Sequence, residues 1–473
     1  MRMTTPIPPG IATPDELWTR IGTLRLSDGV PDDETTRLVY DNLDFQRAVQ
    51  AYLSSIQIAS MHAMRQGILE YGPANTTIVA FETLMDSTTL FLTPNTSSVY
   101  MTTWLDLSGG PMVIETPPNV LGLIDDHWFH YVTDFGNAGP DRGQGGRFLI
   151  LPPGHTGQVP DGYHVARSQT FGNWVLWRGF QVDGDPAPAI QATRDRFRIY
   201  PLGGQPTEMT MVNVSGQPFC TIHRMDAALF DEVNDVVQAE PPDGQNPEIL
   251  GMLASIGITK GASFSPDERM SAILADAADV AAATARTLAA RPRDEAYYFY
   301  PGDRVWQNPF IGGSHEFLAD GARLLDARAY FHYYATGITP AMSKAHVGVG
   351  SQYAVAYLDA DGEPLDGSRT YCVHLPPDVP AKDFWSFVVY DNQTRSMLQT
   401  DQQFPSISSA RGAEQNPDGS YDVYFGPQPP ASGSANWIQT VPGRGWNMLF
   451  RLYGPLESWF DKTWLPGDPT LVD

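Results

Sequence analysis

TPNTSSVYMTTWLDLSGGPMVIETPP, residues 93–118, is the stretch on which the reading of the fold turns. It opens on turn and hydroxyl residues, runs through VYMTTWLDL, breaks at Gly109-Gly110-Pro111 and resumes as MVIET. Two short strands joined by a turn are therefore expected. Asn95 to Tyr100 stands where a polar loop passes into a strand, a corner from which a β-scaffold can present side chains. After a proline, Asn95 also suits an Asx-turn.

The same texture continues outward. TTLFL, GRFLILPP and NWVLWRGFQV are short apolar runs between Gly, Pro and Asn clusters, and they predict a first β-sandwich domain over residues 76–184. Before it, residues 1–75 read as an N-terminal helical segment. There Val49, Leu53, Ile56 and Met64 recur at helical spacing ahead of a Gly72-Pro73 stop. Residues 185–345 read as a mostly helical middle region. PAIQATRDRFRIYPL, MDAALFDEVNDVVQA and EFLADGARLLDARAYFHYYATG are each taken as helical, and a longer helix is capped by Ser265 with Pro266 at its first position. Strand texture returns in TYCVHLPP, FWSFVVYD, YDVYFGP and WNMLFRLYGP, predicting a second β jelly-roll domain over residues 346–473. The expected fold class is mainly β with helices: two β-sandwich or jelly-roll domains joined by a mostly helical middle region.

A chain of 473 residues exceeds what one core usually serves, in keeping with several domains. Its 30 Lys plus Arg against 54 Asp plus Glu leave a formal charge of -24, which repels phosphodiester backbones and anionic lipid. Nucleic acid and membrane are thus excluded as expected partners, leaving a small-molecule substrate or ligand; a homo-oligomer is compatible with the composition. No run approaches 18 apolar residues, and the opening MRMTTPIPPGIATPDELW has no apolar stretch of the kind a secretory leader needs, so a cytoplasmic protein is expected. Cys220 and Cys372 are too few for a disulfide framework or a cysteine metal cage, and each reads as a small buried hydrophobe.

Familiar catalytic signatures are missing. GGSHE, residues 312–316, lacks the closing glycine of a nucleophile elbow, and GQGGRF, residues 143–148, leads into a strand rather than a phosphate-binding helix. His127 and His130 in HWFH fall on opposite faces of a strand, which disfavours one shared metal. Asp125 and Asp126 likewise point apart. DADGEPLD, residues 359–366, is too short for a calcium loop and reads as a hairpin turn. No cofactor and no metal are expected.

Taken together, PNTSSVY, DFGNAGPDRGQGGRFLILPPGHTG, NWVLWRGFQVDG, YCVHLPPDVPAKDFWSFVVYDNQTRSML, NPDGSYDVYFGPQPP and GWNMLFRLYGPLESWFDKTW resemble the bacterial family of paired domains of unknown function, DUF1254 followed by DUF1214. The resemblance spans about Leu38 to Leu471 and implies two all-β domains with helices between or around them. It implies no activity. Relatives place Asn, then Asp and Thr, then Tyr in the opening corner; this chain keeps Asn95 and Tyr100 but has Ser97 and Ser98 where the acid and the threonine are expected.

With that acid absent, Asp134 and Asp106 are the candidate carboxylates for acid–base work, joined by His374, which can act near neutral pH. Asn95, Tyr100, Arg142, Arg178 and Arg451 are the candidate substrate-binding residues. Arg178 lies in a strand on the face of Trp174, Leu176 and Phe180, where a fixed charge calls for a carboxylate or a bound anion. In the second domain Tyr390, Asp391, Arg395, Trp437 and Tyr453 add aromatic faces and charge suited to a concave site, whereas Trp385 reads as core. The expected function is a hydrolase or lyase acting on a small or medium organic substrate in a cleft between the β-domains and helices. The alternative is a non-catalytic protein that binds a carbohydrate or amphiphile.

Overall fold

The computed structural model describes residues 5–344 and 346–472. Helix and strand occupy comparable shares of these residues and no sheet among them closes into a barrel, so "mainly β" holds only loosely. The longest helix, Asp33–Leu69, starts where Asp32 accepts the Thr35 N–H at 2.7 Å and where Asp33 and Glu34 complement the helix dipole. It packs against the Glu268–Ala290 helix, and Ala48, Ala51 and Ala59 of the first share one core with Ala277, Ala278, Ala281, Ala285 and Ala289 of the second. Small side chains on both helices let the backbones approach closely.

A six-stranded sheet runs in the order 210–213, 77–80, 99–106, 172–179, 120–126, 131–136. Its two faces have different neighbours because side chains alternate along each strand. Met101, Ile124, Val175 and Trp177 pack with Ile114, Phe148, Ile150 and Ile199 of a four-stranded sheet. Trp177 also stacks on Phe197, with ring centroids 4.1 Å apart. Gly122 makes room for Phe135 on the neighbouring strand: a Cβ there would stand 2.3 Å from the Phe135 ring. The other face carries Tyr100, Trp104, Leu123, Trp174 and Leu176 into a large core shared with the helices.

That shared core reaches the second β-unit. Val355, Val388 and Leu449, from the sheet ordered 351–356, 446–455, 381–391, 406–408, belong to it. The opposite face of the same sheet supplies Phe387, Trp446 and Phe450 to a further core, with Phe425 from the sheet 437–439, 421–426, 371–375, 470–471 and Trp306 from the middle region. One inner face of each β-unit thus meets a common, partly helical core.

Several boundaries differ from expectation. Residues 16–31 form a three-stranded meander ahead of the long helix, so the first 75 residues are not purely helical. DRFRIYPL leaves the helix at Arg196: Ile199 and Tyr200 continue as strand Arg198–Pro201 against Met112–Thr116, because pairing to an existing edge outweighs the local helical pattern. With Thr210–Asn213 pairing to Thr77–Ala80, the first β-unit takes two strands from the middle region. EFLADGAR forms a small hairpin around Gly321, and the helix there is only Leu325–Tyr334. The Glu268–Ala290 helix is capped by Asp267, not Ser265. Cys220 is exposed and Cys372 half-buried, because each lies on a strand face that borders solvent. No helix among the described residues is long and apolar enough to cross a membrane.

Candidate functional site

The 93–118 stretch forms its corner as expected. Asn95 is buried, and its Oδ1 accepts the backbone N–H groups of Ser97 and Ser98, both at 3.0 Å, closing an Asx-turn. Its Nδ2 donates to the Tyr100 hydroxyl at 2.7 Å. Tyr100 is the register partner of Arg178 on the next strand, so turn, phenol and guanidinium are fixed together by sheet pairing.

The second β-unit comes to the same place. Arg451 Nη2 donates to the carbonyls of Thr93 and Pro94, at 3.0 and 3.4 Å, and to the Tyr390 hydroxyl at 2.7 Å. Tyr390 in turn donates to the Pro94 carbonyl at 2.6 Å. The Arg451 guanidinium lies 5.4 Å from the Tyr353 ring centroid, and the Tyr453 and Ser97 hydroxyls are 3.3 Å apart. Tyr353 is also a neighbour of Arg178. Two guanidiniums and four phenols, Tyr100, Tyr353, Tyr390 and Tyr453, therefore gather around the Asn95 corner.

Among the described residues no acidic group pairs with either arginine; phenols are their neighbours. Burial opposes the charge on each guanidinium, and the surrounding phenolic oxygens counter it, so both stay cationic. Burial raises the pKa of Tyr100 and Tyr390, which remain neutral donors and acceptors. Arg451 Nη1 is buried without a hydrogen-bond partner, while Arg178 is partly exposed. Beside the cluster lies a cleft of about 490 Å³, lined by Asn308, Phe310, Ser343, Lys344, His346 and Gln352. Phe310 links it to the phenols, with its ring centroid 5.6 Å from that of Tyr353.

Asp134 lies on the sheet face that carries Arg178, its register partner Leu123 standing two residues from the Arg178 partner Leu121. Strand spacing puts the two Cα atoms about 12 Å apart. Burial pushes the Asp134 carboxyl up to about 7, against hydrogen bonds from Tyr131 and Thr339 that lower it. Asp125 shares this region, fully buried, with neither carboxylate oxygen bonded; burial, with Asp134 and Asp126 nearby, holds its pKa well above the ordinary value. Asp126 points the other way, as its position requires, and its Oδ1 accepts the N–H groups of Trp128 and His130.

Three candidates lie elsewhere. Asp106, at the far end of the Tyr100 strand, accepts the Ser108 N–H at 2.8 Å and finishes a turn. Arg142 is exposed in a tight turn with a left-handed φ of 51°. His374 is exposed on the outer sheet of the second β-unit, with Nδ1 2.7 Å from Asp422. Asp106 at a strand end, Arg142 in its turn and His374 on the outer sheet thus stand apart from the seam. His127 and His130 do part company, but in the turn between strands Val120–Asp126 and Tyr131–Gly136 and not along a strand as expected: His127 Nδ1 meets Glu240 at 2.7 Å, and His130 lies beside Asp126. Sequence reasoning missed Tyr353, whose signal was its place on the i, i+2 face of QYAVAY. Glu240 carried no local signal. Among the described residues no three His, Cys, Asp or Glu side chains are placed to hold a metal ion.

This is a two-unit β protein with helices, whose polar seam takes one arginine from each unit. Residues 75–201 match the model of a protein of unknown function (DUF1254) and residues 350–457 that of a second (DUF1214). The chain belongs to the family in which these two domains follow one another. A crystal structure of the VPA0106 protein from Vibrio parahaemolyticus is similar in fold, with a TM-score of 0.54 and 18% identity over 91% of this chain and 100% of that one. An uncharacterised protein from Burkholderia cenocepacia matches over 93% of this chain and 96% of its own, at 14% identity and a TM-score of 0.39. No curated protein matches.

Proposed function

We propose that the chain is an enzyme, a hydrolase or lyase, that holds a small organic anion at the guanidinium–phenol seam and uses Asp134 for proton transfer. One observation carries this reading: Arg178 and Arg451 approach the same phenols with no carboxylate to neutralise them. A paired cationic fork suits a carboxylate, phosphate or sulfonate. The adjoining cleft adds Lys344 at its wall, a local positive charge in a chain of net charge -24. A carboxyl titrating close to neutrality suits general acid–base work, and its distance from Arg178 fits a substrate anchored at one end.

A second reading is a binding protein for an amphiphile or carbohydrate, favoured by Ser97 standing where relatives carry an acid. The two are separated by incubating the purified protein with a small-molecule extract and with organic anions, followed by mass spectrometry, beside folded Arg178→Met and Asp134→Asn variants. Turnover by wild type, with binding but no turnover in Asp134→Asn, supports the enzyme. A retained, unchanged anion lost in Arg178→Met supports the binding protein. Neither turnover nor retention would sink both.

We also propose jelly-roll winding for the second β-unit, supported by the way strands 351–356, 371–375 and 381–391 alternate between its two sheets. A cytoplasmic location is likewise our proposal, resting on the two unbridged cysteines. Small molecules, not nucleic acid, are the proposed partners, on grounds of charge.

A further inference from the structure

A separate cavity of about 190 Å³ lies between Trp128, the end of the Leu229–Ala239 helix and the Pro247–Ser255 helix. Trp128, Val237, Leu250, Ala254 and Ile258 give it an almost wholly apolar wall. Its acidic lining residue, Glu240, is already engaged: His127 Nδ1 lies at 2.7 Å, and the N–H groups of Phe171 and Gly172 donate at 2.6 and 3.0 Å. The remaining charge is Lys260, one of four lysines in the chain. Its Nζ donates to the Gln238 carbonyl, which leaves two of three N–H donors free of protein acceptors among the described residues. The indole N–H of Trp128 is buried without an acceptor. An apolar hollow with one exposed cation, and its own acid satisfied from within, matches a ligand with an alkyl body and an anionic head.

We propose that this cavity binds a short aliphatic carboxylate, its chain against Leu250, Ala254 and Ile258 and its carboxylate at Lys260. The site is independent of the Arg178–Arg451 seam. Titration of the full chain with hexanoate, octanoate and 1-octanol, by calorimetry and protein NMR, tests it. Octanoate is expected to bind once per chain, tighter than hexanoate by up to about fourfold per added methylene. Ala254→Phe, at an exposed helix position that faces the hollow, abolishes binding while the melting curve shows a folded chain. Lys260→Met weakens octanoate by roughly fivefold and leaves 1-octanol unchanged. Arg178→Met leaves octanoate binding intact. Absence of saturable binding, retained affinity in Ala254→Phe, or equal binding of octanol and octanoate would overturn the assignment. Loss in Arg178→Met alone would move octanoate to the seam, refuting this site while leaving the proposed function standing. If Ala254→Phe does not fold, Leu250→Phe applies the same steric test.

Discussion

Arg451 and Tyr390, on adjacent strands of the second β-unit, both donate to the carbonyl of Pro94 in the first, and Arg451 also donates to the Tyr390 hydroxyl at 2.7 Å. This is a structural tie as well as a candidate anion fork. Arg451→Met leaves the Thr93 and Pro94 carbonyls short of a donor, and a loss of about 2–4 kcal/mol is expected. Arg178→Met, which breaks no such tie, costs less than about 1 kcal/mol. Urea unfolding of both variants checks the contrast; equal losses would show that Arg178 too is structural.

Ser97 stands 3.3 Å from the Tyr453 hydroxyl, beside the two guanidiniums. Ser97→Asp supplies the carboxylate the seam lacks. The expected result is a more stable protein with weakened retention of small anions, since the new acid occupies the positive charge. Unchanged anion retention in a folded Ser97→Asp chain would show that the ligand does not rely on these arginines.

Asp134 makes stability depend on pH. Its carboxyl titrates near 7 in the folded chain, against 3.8 for the free group, because burial disfavours its charge. Between those values the folded state keeps a proton that the unfolded state has released. The contribution is therefore fully present below about pH 4 and is lost as pH rises to about 7, by on the order of 4 kcal/mol. Glu232, also pushed up to about 7 by burial, adds a slope of the same sign. The difference between wild type and Asp134→Asn isolates the Asp134 share. Urea midpoints at pH 5 and pH 8 should converge in the variant relative to wild type; parallel profiles would refute the assignment.

Gly122→Ala tests the packing beneath the site. A Cβ would fall 2.3 Å from the ring of Phe135, which is wholly buried in the sheet-to-sheet core. A cost of about 1–3 kcal/mol is expected. Adding Phe135→Leu should return part of it, measured as a double-mutant cycle. Purely additive losses would mean that Gly122 serves something other than this ring.

Local signals carried much of the architecture. The strands at 99–106, 172–179 and 381–391 and the long alanine-rich helix were legible because period 2 and period 3.6 differ sharply over eight residues or more. Arg178 was legible as a charge needing a partner, since alternation alone put it on an apolar face. What stayed hidden was contact across the chain. The partner was not a carboxylate but phenols, two of them from the other β-unit, and the bond from Arg451 to Thr93 spans 358 positions. His374 looked equivalent to Asp134 because one strand does not reveal which sheet face is covered, and Asp106 because it shares the Tyr100 face although it stands at the other end of that strand. IYPL changed from helix to strand for the same reason: the edge of Met112–Thr116 that receives it lies more than 80 residues upstream.

The seam draws one arginine from each β-unit, so it is whole only where the two units are docked. Neither half alone can present the proposed anion site in full, so a ligand bound there would recognise only the docked chain and stabilise both halves at once. Any molecule that fills the seam should act as a folding chaperone for the whole protein, raising the yield of correctly joined units even where no chemistry follows.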